Sequence, residues 1–291
     1  MYRIAILGCE NSHADAFLEI VLKKGIYNDI EVVGVYSDEE EANARMKEKF
    51  GVYCAESYDE FVGKVDGIMI TARDGINHYK YAKPYIKSGI PMFIDKPITS
   101  DEVEAVEFMK ELRDNGCRVV GGSSCVHAEL VKQLKKTVEE RTLGRVYGGY
   151  LRAPVNLVNK YGNFFFYSQH LVQVLLDIFG YYPKSVTALQ NDNVVSATVR
   201  YEDYDVNAQF IDGSWKYVAT VSADKGFDGG IYAVNGELYE PEFAEFYHIL
   251  TGGEQLQSYR EFIAPVAVIC AIDRAMKSGE EEAVNPIEEI V

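Results

Sequence analysis

The sequence predicts an α/β protein in two parts. A doubly wound parallel sheet occupies residues 1–122, and an α+β domain with a large, mostly antiparallel sheet occupies 123–291. Three observations predict it. Short apolar runs alternate with amphipathic stretches as far as Gly122; strands separated by helices need crossovers, and crossovers imply a parallel sheet covered on both faces. Beyond Gly122 the apolar runs become close neighbours bounded by turn residues, as in antiparallel strands. A length of 291 residues, 47% hydrophobic and 25% charged, suits two domains with cores of their own.

The elements follow in order. Ile4–Leu7 reads as a buried strand ending at Gly8, and Ala14–Lys24 as a helix with Phe17, Ile20 and Val21 at helical spacing. Glu31–Tyr36 is a second strand, and Glu39–Phe50 a polar helix stopped by Gly51. Ser57–Phe61 reads as a short helix entry, with Ser57 and Glu60 as a capping box. Strands are expected at Asp66–Thr71, Pro91–Ile94 and Arg118–Gly121, and helices at His78–Ser88 and Asp101–Asn115. In the second part, strands are expected at Arg145–Arg152, Ser185–Leu189, Val194–Tyr201, Asn207–Asp212, Tyr217–Ser222 and Ile231–Val234. Helices are expected at Glu129–Glu140, Ser168–Phe179 and Tyr259–Lys277. Tyrosines are frequent in this part, and an open tyrosine-rich sheet is a candidate surface for a homodimer or homotetramer.

Charge narrows the partners. There are 29 basic and 45 acidic residues, net −16, which argues against nucleic acid and anionic membrane surfaces. No apolar run approaches the roughly 20 residues of a membrane span. Ile4–Leu7 is too short for a secretory apolar core, so a cytoplasmic protein is expected. The five cysteines form no C-x-x-C pair and suit free thiols in a reducing compartment. The five histidines show no metal-binding spacing, and no metal is expected.

Several local patterns then coincide. Thr71-Ala72-Arg73-Asp74-Gly75-Ile76-Asn77-His78 follows one expected strand, and Phe93-Ile94-Asp95-Lys96-Pro97-Ile98 closes the next. Gly121-Gly122-Ser123 ends another, and His170 precedes an apolar helix ending at Gly180. In this order they resemble the Gfo/Idh/MocA oxidoreductases, over nearly the whole chain; the most specific part, Asp95-Lys96-Pro97-Ile98, is similar to the family's Glu-Lys-Pro signature. The resemblance implies a Rossmann domain, then a substrate-binding and oligomerisation domain. It also implies hydride transfer between NAD(P) and a sugar, polyol or related hydroxy compound. Carried over, Lys96 lies near the nicotinamide and polarises the reacting oxygen, and His170 is the acid/base. A histidine with a pKa of about 6.5 can take a hydroxyl proton at neutral pH, and an ammonium stabilises a developing alkoxide. Asp95 would help fix Lys96, and Pro97 biases that segment to an extended form.

The chain departs from the family in two places. A G-x-G-x-x-G turn needs its second glycine for close approach to pyrophosphate and its third for helix packing. Here Gly8 is kept, and Glu10 and His13 stand in the other places. The loop can still serve if Asn11 or Ser12 caps the helix and its first amides face the diphosphate, with Ser12 and His13 adding donors and Glu10 turned to solvent or a ribose. Asp38, with Ser37 as the alternative, is the expected acceptor from the adenosine ribose; Glu39-Glu40-Glu41 follow, which favours NAD over NADP. The expected cofactor set is Gly8, Asn11, Ser12, His13, Ser37, Asp38, Thr71, Ala72, Arg73, His78, Asp95, Lys96 and Pro97. The second departure is Phe166 where the family has an aspartate four residues before the histidine, with Gln173 at another acidic place. Tyr167, on the same helical face as His170, is a candidate substitute proton donor. These losses leave open a non-redox ligand-binding or regulatory protein, and an NAD-assisted sugar hydrolase or lyase.

Overall fold

The computed structural model describes residues 1–285. The chain forms two compact units. One comprises Met1–Thr99, Val103–Gly122 and Gly236–Tyr259; the other comprises Ser100–Glu102, Ser123–Asn235 and, of the described residues, 260–285.

In the first unit, β1 (Tyr2–Leu7), α1 (Ser12–Leu22), β2 (Ile30–Tyr36), α2 (Glu40–Phe50), β3 (Gly67–Ile70), α3 (Ile76–Ile86), β4 (Met92–Asp95), α4 (Glu102–Asp114) and β5 (Val119–Gly122) alternate. The strands pair in parallel in the order β2-β1-β3-β4-β5. The order reverses direction between β1 and β3, and at such a switch point doubly wound sheets leave a crevice beyond the strand carboxyl ends. β3 and β4 are buried along their whole length, which is why they read as unbroken apolar runs. Residues 57–61 differ from expectation: they form turns, not a helix entry. Ser57 Oγ donates to Asp59, and the Glu60 carboxylate accepts from Glu56 N and Tyr53 Oη, so no capping box closes. Phe61 drives this departure, since its buried ring packs against Gly34 of β2.

The segment Gly236–Tyr259, which the sequence put with the second part, packs in the first unit. Its helix, Tyr239–Leu250, is not foreseen by the sequence reading. Phe243, Phe246, Ile249 and Leu250 join Ile4, Ile6, Phe17 and Phe93 in one core cluster. Each buried side chain of this kind contributes roughly 1.5–3 kcal/mol.

In the second unit, α5 (Glu129–Glu139), β6 (Val146–Val155), α6 (Phe164–Phe179), β7 (Ser185–Asn191), β8 (Val194–Arg200), β9 (Asp205–Asp212), β10 (Tyr217–Ala223) and β11 (Gly226–Tyr232) precede the Tyr259–Ser278 helix and the short β12 (Glu282–Ala283). The sheet order is β11-β10-β6-β9-β8-β7-β12. The β6–β9 pair is parallel and the other pairs are antiparallel. α5 and α6 cover one face. Two expectations shift. β11 starts at Gly226 because it is the return limb of a tight hairpin with β10, and Gly226, Gly229 and Gly230 had diluted its strand signal. α6 begins at Phe164, so His170 lies in its second turn instead of opening it.

Candidate cofactor and active site

The β1–α1 turn is built around Gly8. Its N–H and that of Cys9 both donate to Tyr36 O, at 2.7 and 3.0 Å. Its φ is +85°, and an added Cβ would lie 2.2 Å from Ala72 backbone atoms. Only glycine fits there. Thr71 Oγ1 donates to Gly8 O at 3.0 Å and ties the same turn to the end of β3. Thr71 and Ala72, expected as cofactor contacts, are fully buried and hold the turn itself. His78 is also fully buried. Its Nδ1 lies 2.7 Å from Pro97 O and its Nε2 2.8 Å from Ala72 O, so it clamps the chain after β3 to the chain after β4. A neutral imidazole donates to one of these carbonyls at a time.

Asn11 caps α1, its Oδ1 accepting from Ser12 N at 2.7 Å. Its Nδ2 donates to Asp95 Oδ2 at 2.7 Å, which joins the turn to the Asp95-Lys96-Pro97 segment. Asp95 Oδ1 accepts from Lys96 N at 2.7 Å, so the signature's backbone is held by its own carboxylate. Lys96 is 4% exposed. The Lys96–Pro97 peptide is cis.

His13 is turned inward. It is 3% exposed, with Nδ1 3.2 Å from Asp95 Oδ2, Nε2 3.4 Å from Glu242 Oε2 and its ring edge-on to Tyr239 at 4.8 Å. The third glycine of the usual turn permits close helix packing. Here the imidazole occupies a polar slot between the end of β4 and the Tyr239–Leu250 helix. These distances suit ion pairs, yet neither imidazole nitrogen has hydrogen-bond alignment. Burial pushes the His13 pKa down despite the pull of Asp95. Burial pushes Asp95 up against the attraction of His13 and Lys96. Glu242 is pushed well up by burial, opposed by Lys96. Desolvation is the larger effect on each, and it favours the neutral form of both side chains. Glu242 and Tyr239 escaped the sequence reading; the helical spacing of Phe243, Phe246 and Leu250 was the available signal.

Glu10 turns neither to solvent nor away from the crevice. Its Oε2 accepts from Ser37 Oγ at 2.6 Å and its Oε1 from Arg73 N at 2.8 Å. Arg73 Nη2 donates to Glu10 O at 2.6 Å. Asp38, the expected ribose acceptor, accepts from the Tyr36 and Tyr81 hydroxyls, with Lys80 Nζ at 3.9 Å, and its side chain is 51% exposed. Burial raises the Asp38 pKa, but both phenols and Lys80 outweigh it and hold the carboxyl below its usual value.

The residues fit a dinucleotide. The close Gly8 turn is intact, the exposed Ser12 opens α1, whose first amides favour an anion, and Arg73 supplies a cation beside the loop. His13, being inside, does not compete for that space.

In the second unit, His170 Nδ1 lies 2.7 Å from Ser123 Oγ and 3.6 Å from Cys125 Sγ. Gln173 Oε1 accepts from Ser123 N at 2.8 Å and from Gln169 Nε2 at 3.2 Å. The Tyr167 ring meets His170 edge-on at 4.8 Å and Trp215 at 5.5 Å. Phe166, in the family's aspartate place, packs on Tyr161 at 5.1 Å and Tyr167 at 5.6 Å. A hydroxyl thus meets the histidine, Gln173 fixes the backbone that carries this hydroxyl, and an aromatic wall stands in the family's aspartate place.

Residues 2–123 match the family described as "Oxidoreductase family, NAD-binding Rossmann fold", Gfo/Idh/MocA. The matched residues are those that carry the five-stranded parallel sheet, and the match agrees with the resemblance read from the sequence. No curated protein matches the chain. Among solved structures, scyllo-inositol dehydrogenase from Lactobacillus casei, with bound NAD(H) and scyllo-inositol, superposes with a TM-score of 0.84 at 14% identity over 98% of this chain and 99% of that one. Myo-inositol dehydrogenase from Corynebacterium glutamicum gives 0.82 at 16% identity, over 98% and 99%. GenD2 of gentamicin A biosynthesis, in complex with NAD, gives 0.83 at 12% identity, over 98% and 97%. At these identities the likeness is one of fold. No helix among the described residues is long and apolar enough to cross a membrane.

Proposed function

We propose that this protein is an NAD(H)-dependent dehydrogenase of a sugar, cyclitol or related polyol. The observation that carries the reading is the Asn11–Asp95 hydrogen bond, which couples the retained dinucleotide turn directly to the Asp95-Lys96-Pro97 segment. Bound nicotinamide would supply a hydride acceptor for the carbinol carbon. Gly8, Ser12 and Arg73 would hold the diphosphate. Lys96, its backbone fixed by Asp95, stabilises negative charge on the reacting oxygen. His170, with Nδ1 2.7 Å from Ser123 Oγ, is the base that takes the hydroxyl proton. Tyr167 orients the imidazole by edge contact, and its hydroxyl is a further proton donor. The aromatic wall of Tyr161, Phe166, Tyr167 and Trp215 suits the C–H face of a ring. We further propose a cytoplasmic homo-oligomer joined through the sheet of the second unit.

The test is a nicotinamide fluorescence titration with NADH, followed by turnover on a panel of cyclitols and sugars. Lys96→Ala should lower kcat by about 100-fold or more while leaving the fold intact, as expected for loss of a group that stabilises transition-state charge. Undiminished turnover in that variant removes Lys96 from the chemistry. A second reading, a non-redox ligand-binding protein, is favoured by one feature: a carboxylate, Glu10, lies at the switch point. Failure of NADH to bind at millimolar concentration would select it.

A further inference from the structure

Glu10 stands where the family turn has a glycine, and its side chain bridges three strand ends. It leaves the β1–α1 turn, accepts from Ser37 just after β2 at 2.6 Å, and accepts from Arg73 N beyond β3 at 2.8 Å. It is 9% exposed, so its position is set by these partners and not by solvent. In doubly wound folds this is the region where an acidic side chain accepts from the adenosine ribose hydroxyls. The acid expected to do so from the end of β2, Asp38, already accepts from Tyr36 and Tyr81 and faces Lys80. Glu10 thus sets a second carboxylate beside the end of β2, where Ser37 donates to it.

We propose that Glu10 is the acceptor for the adenosine ribose diol and the residue that selects NAD(H) over NADP(H). The inference deepens the NAD reading above and rests on it. A carboxylate offers about four lone-pair sites, and the two named contacts leave room for two hydroxyl donors. The ribose 2′- and 3′-hydroxyls are two adjacent donors. Ser37 Oγ and Arg73 N hold the carboxylate ready, and Ser37 Oγ in turn accepts from Glu39 N at 3.1 Å, which fixes it beside Glu10. A 2′-phosphate would bring negative charge against the same carboxylate in a largely water-free place. Arg73 does not offset this freely, because its Nη2 is anchored on Glu10 O.

The experiment titrates NADH and NADPH separately into the full chain, read by nicotinamide fluorescence, with thermal melting to confirm folding of each variant. Wild type should bind NADH at least about tenfold more tightly than NADPH, the scale of one lost or repulsive contact. Glu10→Gln should weaken NADH about tenfold and shrink that preference to about unity, by the same conversion. Asp38→Asn should leave both affinities unchanged. The proposal is overturned if Glu10→Gln leaves the preference intact, or if Asp38→Asn abolishes it. It is also overturned if wild type binds neither nucleotide and Glu10→Gly binds NADH: Glu10 is then a plug, and the NAD fold of the crevice stands. If neither wild type nor Glu10→Gly binds, the NAD reading itself fails and takes this role with it.

Discussion

At the scale of single residues, the informative positions are those where a side chain replaced a glycine. His13 could be read from sequence as a donor to a diphosphate, because it falls in the first turn of α1. The structure buries it between Asp95 and Glu242. Nothing near His13 in sequence announces Glu242, which arrives from a helix more than two hundred positions later. The cluster makes stability depend on pH. Glu242 has a folded pKa above its unfolded value of about 4.3. Below that value both states are protonated. As pH rises through it, the unfolded chain ionises and the folded one does not, so folding weakens until the folded pKa is reached. Asp95 acts in the same sense. His13, pushed down, costs stability in the other direction, as pH falls below about 6.5. Glu242→Gln should therefore be more stable than wild type at pH 8, by about 1–2 kcal/mol. The gain should vanish near pH 4. Thermal melting of both proteins across that range checks it, and parallel curves would mean that Glu242 is ionised in the fold.

At the scale of elements, apolar spacing located most strands and helices because their burial is set locally by period. It was weakest where tertiary partners overrode it. Residues 57–61 carry a capping-box pattern, yet Phe61 is more stable packed on Gly34 than at the head of a helix. β11 carries too many glycines to look like a strand, but its hydrogen bonds to β10 hold it. The Tyr239–Leu250 helix matters most. It brings Phe243 and Phe246 against Phe17 of α1 and carries Glu242 to His13. Phe243→Ala should destabilise the protein by about 3–5 kcal/mol. It should also loosen the β1–α1 turn, since the lost ring sits beside Phe17 at 5.6 Å. Denaturant unfolding measures the first effect, and amide exchange in residues 8–16 the second. Exchange unchanged in that stretch would show that the turn is supported without this helix.

At the scale of the molecule, a seven-stranded sheet has α5 and α6 on one face. A shallow depression on the sheet is lined by Tyr150, Leu189, Thr198, Asn207 and Gln209. Leu189 is 70% exposed, and Tyr150 Oη is held by Gln209 at 2.8 Å, which gives a flat, ordered, partly apolar surface. Such a surface suits a second copy of the chain. Light scattering should find a dimer or larger, and Leu189→Arg should shift it toward monomer; a monomeric wild type would remove this role from the sheet. The sequence by itself determined the two-part α/β architecture, the Gly8 turn, the Asp95-Lys96-Pro97 segment and the Gfo/Idh/MocA likeness, because period, turn residues and short motifs are local properties. Only the tertiary structure decided that His13 lies inside, that Asp38 accepts from two tyrosines, and that Glu10 spans three strand ends. Each of those outcomes depends on which distant groups are close enough to satisfy a buried polar atom, and chain order alone does not specify that.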